Sequence, residues 1–555
     1  AADIDGAYTG LASLSVSGAA NLGANISTTG AQTYQGAVTL SGGDRTLTAS
    51  TVNTQSTLAG GNNALTITGA ADIDGAYTGL ASLSVSGAAN LGANISTTGA
   101  QTYAGAMTVS ADSVLSASGL SLGSVTLSSG GTGYKLTLSN TDADSAISGV
   151  ISGAGGLVKV GAGTLTLNGD NTYAGTTSVN AGTLKLGHAH ALGSDATGSS
   201  TSVGAGASLD LNNLSVSEPV TLAGGRVMNG VLTGDMALTA DSTLEAGAGS
   251  SIVLSGAISG SYGLTLGGGG TITLSGNNSY TGETTISAGT VIVRSNTGLG
   301  ASAGATTVAS GATLDLAGVA IAAENLTLQG GTVKDATSSW GGNIAMTADS
   351  RFDIASADTL TVGGVVSGAY KLTKVGGGTL VLGGNNTYSG GTDLNAGLVQ
   401  LGSNAGLGTG AAVVASGAAL DLNGKSMSNA VSITGAGVNS SGVLYNGSST
   451  AATASGAITL VGDSTIKSVG ALTFSGAVNG AHALQVTNTG ALTLSGGVGQ
   501  TDALSSLSVS GASTLGGNIS TTGTQTYQGA VTLAAAATLT ASTVNTQSTL
   551  AGGNN

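Results

Sequence analysis

GLVKVGAGTLTLNGDNTYAGTTSVNAGTLKLG runs from Gly156 to Gly187. Its period is two. In Thr164-Leu165-Thr166-Leu167 the leucines take one side of an extended chain and the threonines the other. Gly, Asn and Ser bound each such run, and these residues turn a chain.

The stretch returns twice. It reads GLTLGGGGTITLSGNNSYTGETTISAGTVIVR from Gly263 to Arg294 and KLTKVGGGTLVLGGNNTYSGGTDLNAGLVQLG from Lys371 to Gly402. Tyr173, Tyr280 and Tyr388 mark the copies at almost equal intervals. A second short strand, Leu184-Lys185-Leu186, becomes Val291-Ile292-Val293 and Val399-Gln400-Leu401. Its flanks stay aliphatic while its centre changes freely, as an outward position can. A companion string recurs at Gly206, Gly311 and Gly417, and a decayed fourth copy is read at Gly490 to Gly497.

Outside this middle region lies a different repeat. Ala1 to Tyr34 is identical to Ala70 to Tyr103, and Ser505 to Leu533 is a diverged third copy. Asn555 aligns with Asn63, so six further residues would return the chain to the equivalent of Ala1. The chain therefore reads as a section of a longer tandem array with a super-period of roughly 560 residues. The expected organisation is one continuous β-solenoid in three zones. Residues 1–145 carry 69-residue outer repeats, 146–497 carry ~107-residue repeats, and 498–555 begin a further outer repeat.

Strands this short cannot enclose a core alone. Coiling the chain places each strand about 4.8 Å above its predecessor, so every turn hydrogen-bonds to its neighbours and the aliphatics form an internal column. A turn of roughly 20–24 residues predicts about 25 turns in a rod on the order of 120 Å long. Propeller blades of about 40–45 residues do not fit these periods.

Composition narrows the function. Gly accounts for 98 of 555 residues, charged residues for 7% and aromatics for 3%, with a single proline. Collagen is excluded by the missing three-residue glycine period. Disorder is disfavoured by an apolar fraction of 40%. The net charge is −14 and the twelve basic residues are scattered, which argues against nucleic acid and anionic membranes as partners. There is no cysteine, so disulfides and thiolate metal sites are excluded, and the chain can cross an oxidising compartment without cross-linking. No apolar run reaches the roughly 18 residues of a membrane helix, so no membrane insertion is expected.

The residues Lys159, Gly161, Gly163-Thr164-Leu165, Leu167, Gly169, Asn171-Thr172-Tyr173, Gly175, Thr177, Gly182-Thr183-Leu184 and Leu186-Gly187 resemble the autotransporter-associated β-strand repeat of bacterial outer-membrane autotransporter passengers. The Gly263 copy lacks the lysine, and the Lys371 copy has Leu398 where Gly-Thr-Leu is expected. The outer repeats resemble those of filamentous-haemagglutinin-like adhesins exported by two-partner secretion. The resemblance implies a right-handed parallel β-helix on an extracellular bacterial surface and a role in adhesion, aggregation or biofilm. It also implies an outer-membrane secretion or anchoring partner outside this chain. Extracellular polysaccharide, other cells and copies of the chain itself are the further partners expected.

Catalysis is not expected. The 26 acidic residues mostly sit alone in turns, without the carboxylate pair of glycoside hydrolysis. No cofactor and no metal are expected either. His188 and His190 alternate in a segment that reads as a solvated turn, with no third ligand evident. Asp3 and Asp5, their copies Asp72 and Asp74, and Asp142 with Asp144 lack the bidentate glutamate and glycine-rich nonapeptide of calcium loops. The recurring tyrosines are expected to pack against the coil. Trp340, the single tryptophan, is the one candidate for an exposed ligand contact.

Overall fold

The computed structural model describes residues 1–129, 131–194 and 199–552. The chain is all-β, with parallel strands stacked as a β-solenoid of about 27 turns. Among the described residues the one helical turn is the 3-10 turn Val438–Ser440. Among the described residues no helix is long and apolar enough to cross a membrane. The chain divides into two compact units, Ala1–Tyr280 and Thr281–Asn555. Gly553 to Asn555, the end of the expected third zone, lie outside the described residues.

In the first unit each turn has three sides. Ala2–Ile4, Tyr8–Leu11 and Leu14–Val16 form one turn, and Ala20–Leu22 returns to the first side. Ala2 pairs with Ala20, and Ala20 pairs with Val38 one turn further on. Longer turns occur where the middle repeats begin, as where Leu184 pairs with Leu209. The outer repeats wind more tightly than their sequence suggested, which is why there are more turns than expected. Ser128–Ser129 and Thr132–Gly133 pair in a short antiparallel ladder.

The period-two alternation sets the side chains as expected. In Thr164–Leu167 and Thr183–Leu186 both leucines are buried and the intervening residues face outward. One interior column runs Leu115, Leu138, Lys159, Val179, Val203, Leu222, Leu238 through successive turns. The second unit has the same build, with Val333, Phe352, Lys374, Leu394, Val414, Ile433 and Leu460 in one column. Each column buries aliphatic area on every turn, at about 25 cal/mol per Å², and the ladder satisfies the backbone between turns.

The repeats do not stack on their own copies. Leu14 pairs with Gln32, Gln32 with Val52, and Val52 with Ala71. Ala71 is the copy of Ala2, yet it stands on the column of Leu14. The outer repeat thus advances the chain by a whole number of turns plus two of three sides. In the second unit Thr284–Ile286 and its counterpart Thr392–Leu394 likewise stand on different sides. The sides are interchangeable because each asks only for inward aliphatics and a tight corner.

Gly75 shows how tight a corner is. A Cβ there would meet the carbonyl oxygen of Ser56 on the turn below at 1.9 Å. Gly247, at another corner, would carry a Cβ no nearer than 3.9 Å to a neighbouring atom. Gly75→Ala is expected to destabilise by about 2 kcal/mol or more through backbone overpacking, and Gly247→Ala by less than about 0.5 kcal/mol. Urea unfolding of the two variants checks this. Equal costs would mean that local conformation, not stacking, selects glycine.

Candidate functional site

The middle repeats carry the most specialised corners. After the strand Thr379–Leu382 the chain turns through two glycines to Asn386, which is buried. Its Oδ1 accepts from the Val366 amide at 2.8 Å and its Nδ2 donates to the Gly406 carbonyl at 2.6 Å, tying the turns on either side. Asn171 repeats this with Ile151 at 2.7 Å and Ala191 at 2.6 Å. Tyr388 then enters the core and its hydroxyl meets Thr392 Oγ1 at 2.6 Å; Tyr173 meets Thr177 at 2.5 Å. Tyr173, Tyr280 and Tyr388 are buried as expected. In the outer repeats the equivalent device is Gln-x-Tyr. Buried Gln101 donates to the Ser116 carbonyl at 2.9 Å and accepts from Tyr103 at 3.1 Å; Gln32 with Tyr34 and Gln525 with Tyr527 do the same.

Lys159 and Lys374 are 0% exposed, inside otherwise apolar columns. The Lys159 ammonium donates to the carbonyls of Val160 and Gly161 at 2.7 Å each and of Ala181 at 3.3 Å; Lys374 makes the matching bonds to Val375, Gly376 and Ala396. Burial pulls both amines down to about 8. The signal was present in the sequence: Lys159 stands in phase with inward Leu157. In the Gly263 copy Leu266 takes this place and is buried.

Buried carboxylates also belong to the wall. Glu324 accepts from Thr306 Oγ1, and burial pushes its carboxyl up to about 7. Glu218 accepts from Thr201 Oγ1 at 3.0 Å in the same corner of the preceding repeat. The third repeat puts Asn429 here, donating to Gly408 and Gly410 at 3.1 and 2.7 Å. A raised acid keeps its proton in the fold while the unfolded chain loses it above about 4.5, so stability falls between pH 4.5 and 7. Glu324→Gln is therefore expected to stabilise by about 1–3 kcal/mol at pH 8 and to be neutral at pH 4. Thermal unfolding at the two values checks this, and a loss of stability at pH 8 would contradict it.

Trp340 is 1% exposed and stacks between Ile321 and Val362. It is a core residue, because its alternation phase points inward from Ser338–Trp340, and an interior ring cannot serve as a surface platform. The outward faces are ladders of Thr, Ser and Ala. A shallow open groove crosses Thr164, Thr166, Thr183, Lys185 and Asp210 without an aromatic side chain. Asp72 accepts from Asn90 Nδ2 at 2.7 Å. Among the described residues none of the aspartates considered for calcium joins a group of three potential ligands. His188 and His190 do: Asp170, one turn earlier, lies beside both.

The repeat corners match a known family. Residues 157–186, 264–293 and 372–401 each match the Passenger-associated-transport-repeat. The chain is also similar to the adhesin BmaC autotransporter of Brucella suis biovar 1 (strain 1330), 33% identical over 256 residues. That similarity covers 44% of this chain and 7% of the relative, so the chain spans a small part of that protein's length. No solved structure gives a significant match. The chain thus carries three copies of the Passenger-associated-transport-repeat and is similar over 44% of its length to an autotransporter adhesin.

Proposed function

We infer that the chain is a passenger region of a secreted, outer-membrane-displayed adhesin, and that its work is mechanical rather than catalytic. The observation that carries this is the interior. Lys159, Lys374 and Glu324, whose ionisation burial shifts, are each bonded to the wall of the coil, which supports a structural role for them. Export and anchoring fall to an outer-membrane translocator outside this stretch. In this reading the stacked turns act as a stiff stalk that holds binding elements away from the membrane, in attachment, aggregation or biofilm.

The test is an in-frame deletion of residues 71–150 in the parent protein, four whole turns, because Ala71, Ala89, Met107, Val125 and Ile151 stand on one column. The expected result is weaker cell attachment and aggregation on cells matched for surface display. Unchanged attachment at matched display would overturn the stalk. Filaments whose width grows with protein concentration would instead favour assembly from copies of the chain.

A further inference from the structure

We propose that Asp170, His188 and His190 form a binding site for a divalent transition-metal ion of the Zn2+ type. Two stacked corners create it. Asp170 follows the strand Thr164–Leu167, and the histidines follow Thr183–Leu186, which lies in register on it. Asn171 locks the two corners together. Its amide donates to the His190 carbonyl at 3.2 Å, its Nδ2 to Ala191 at 2.6 Å, and its Oδ1 accepts from Ile151 at 2.7 Å. The backbone beneath all three side chains is therefore fixed.

The spacing suits a shared ion. Asp170 Oδ1 is 2.9 Å from His190 Nδ1 and 3.6 Å from His188 Nδ1. One donor atom from each residue lies within 4.8 Å of the others. Donors held about 2.0–2.2 Å from a tetrahedral ion stand roughly 3.4 Å apart, so small side-chain movements suffice. The side chains are 63% (Asp170), 40% (His188) and 58% (His190) exposed, which gives an ion access and leaves its remaining position to water. His188 Nδ1 also accepts the His190 amide at 3.2 Å, a long contact that coordination by this nitrogen would replace. Two imidazoles and one carboxylate favour Zn2+, Cu2+ or Ni2+ over Ca2+ or Mg2+.

The sister repeats supply an independent argument. The same corner carries Asn277, Ser295 and Thr297 in one copy and Asn385, Ser403 and Ala405 in the other. The corner therefore folds without any of the three donors. In the first copy all three change to ligand types together, and two of the chain's three histidines gather there.

The test uses tag-free protein, calorimetry with Zn2+ and the visible absorption of Co2+. One saturating equivalent is expected at pH 7.5. Asp170→Asn, His188→Ser and His190→Ala each install a residue that a sister copy already carries, so folding is preserved. Each should weaken Zn2+ at least about tenfold, since even residues that only orient a ligand cost 10–100-fold. Absence of saturable binding, or equal affinity in all three variants, would overturn the proposal.

Discussion

Leu380→Asp is expected to unravel the turns around it, at a cost above about 5 kcal/mol. Leu380 is buried, stacked between Leu360 below and Val399 above. The change removes about 2–3 kcal/mol of aliphatic burial and places a carboxyl where no partner waits. The group would stay protonated, yet even a neutral acid in that column lacks a hydrogen-bond partner. In a stacked coil the damage spreads to nearest neighbours first. Val381, the next residue, faces outward between Thr361 and Gln400. Val381→Asp should therefore cost less than about 0.5 kcal/mol. Hydrogen exchange of the surrounding amides, with urea unfolding, separates the two. Comparable losses in both variants would mean that the alternation does not define inside and outside.

Raising the pH above 10 should collapse the fold steeply, after a shallow gain in stability between pH 8 and 10. The collapse comes from tyrosines. Burial raises the phenols of Tyr34, Tyr77, Tyr103 and Tyr173 in the first unit and of Tyr388 and Tyr527 in the second. The unfolded chain releases those protons near pH 10 while the folded chain keeps them. Stability is therefore intact below pH 10 and falls above it, by up to about 1.4 kcal/mol per pH unit for each group. The shallow gain comes from Lys159 and Lys374. Their folded amines release protons near pH 8 and the unfolded ones only near 10.5, so stability rises with pH in between. Thermal melts from pH 7 to 12 should show this profile, and tyrosinate absorption should appear together with unfolding. Six tyrosines titrating near pH 10 in the folded protein would contradict their burial.

What the sequence made legible follows from what is local. Alternation in Thr164-Leu165-Thr166-Leu167 is a property of four neighbours, so inside and outside could be read directly. The tyrosine corners were legible because the motif recurs. Properties set by the length of a turn were not. Nothing near His188 shows a third ligand, because Asp170 becomes a neighbour only when a turn closes at this corner. The side on which each repeat falls depends on fractions of a turn summed over the whole repeat. Trp340 misled for a different reason. Its type suggested a surface contact, while its phase, which decides, put it inside. The same phase buries Lys159.

Successive turns lie directly on one another in parallel register. The absence of cysteine makes this directly measurable by engineered cross-links. Thr166 pairs with Lys185 and Lys185 with Asp210, all facing outward. Partners on adjacent turns stand about 4.8 Å apart, within disulfide reach, while Thr166 and Asp210 are two turns, about 9.6 Å, apart. Oxidation of Thr166→Cys with Lys185→Cys, and of Lys185→Cys with Asp210→Cys, should give intramolecular disulfides, and Thr166→Cys with Asp210→Cys should not. Ready cross-linking of that third pair, or none in the first two, would contradict the stacked coil.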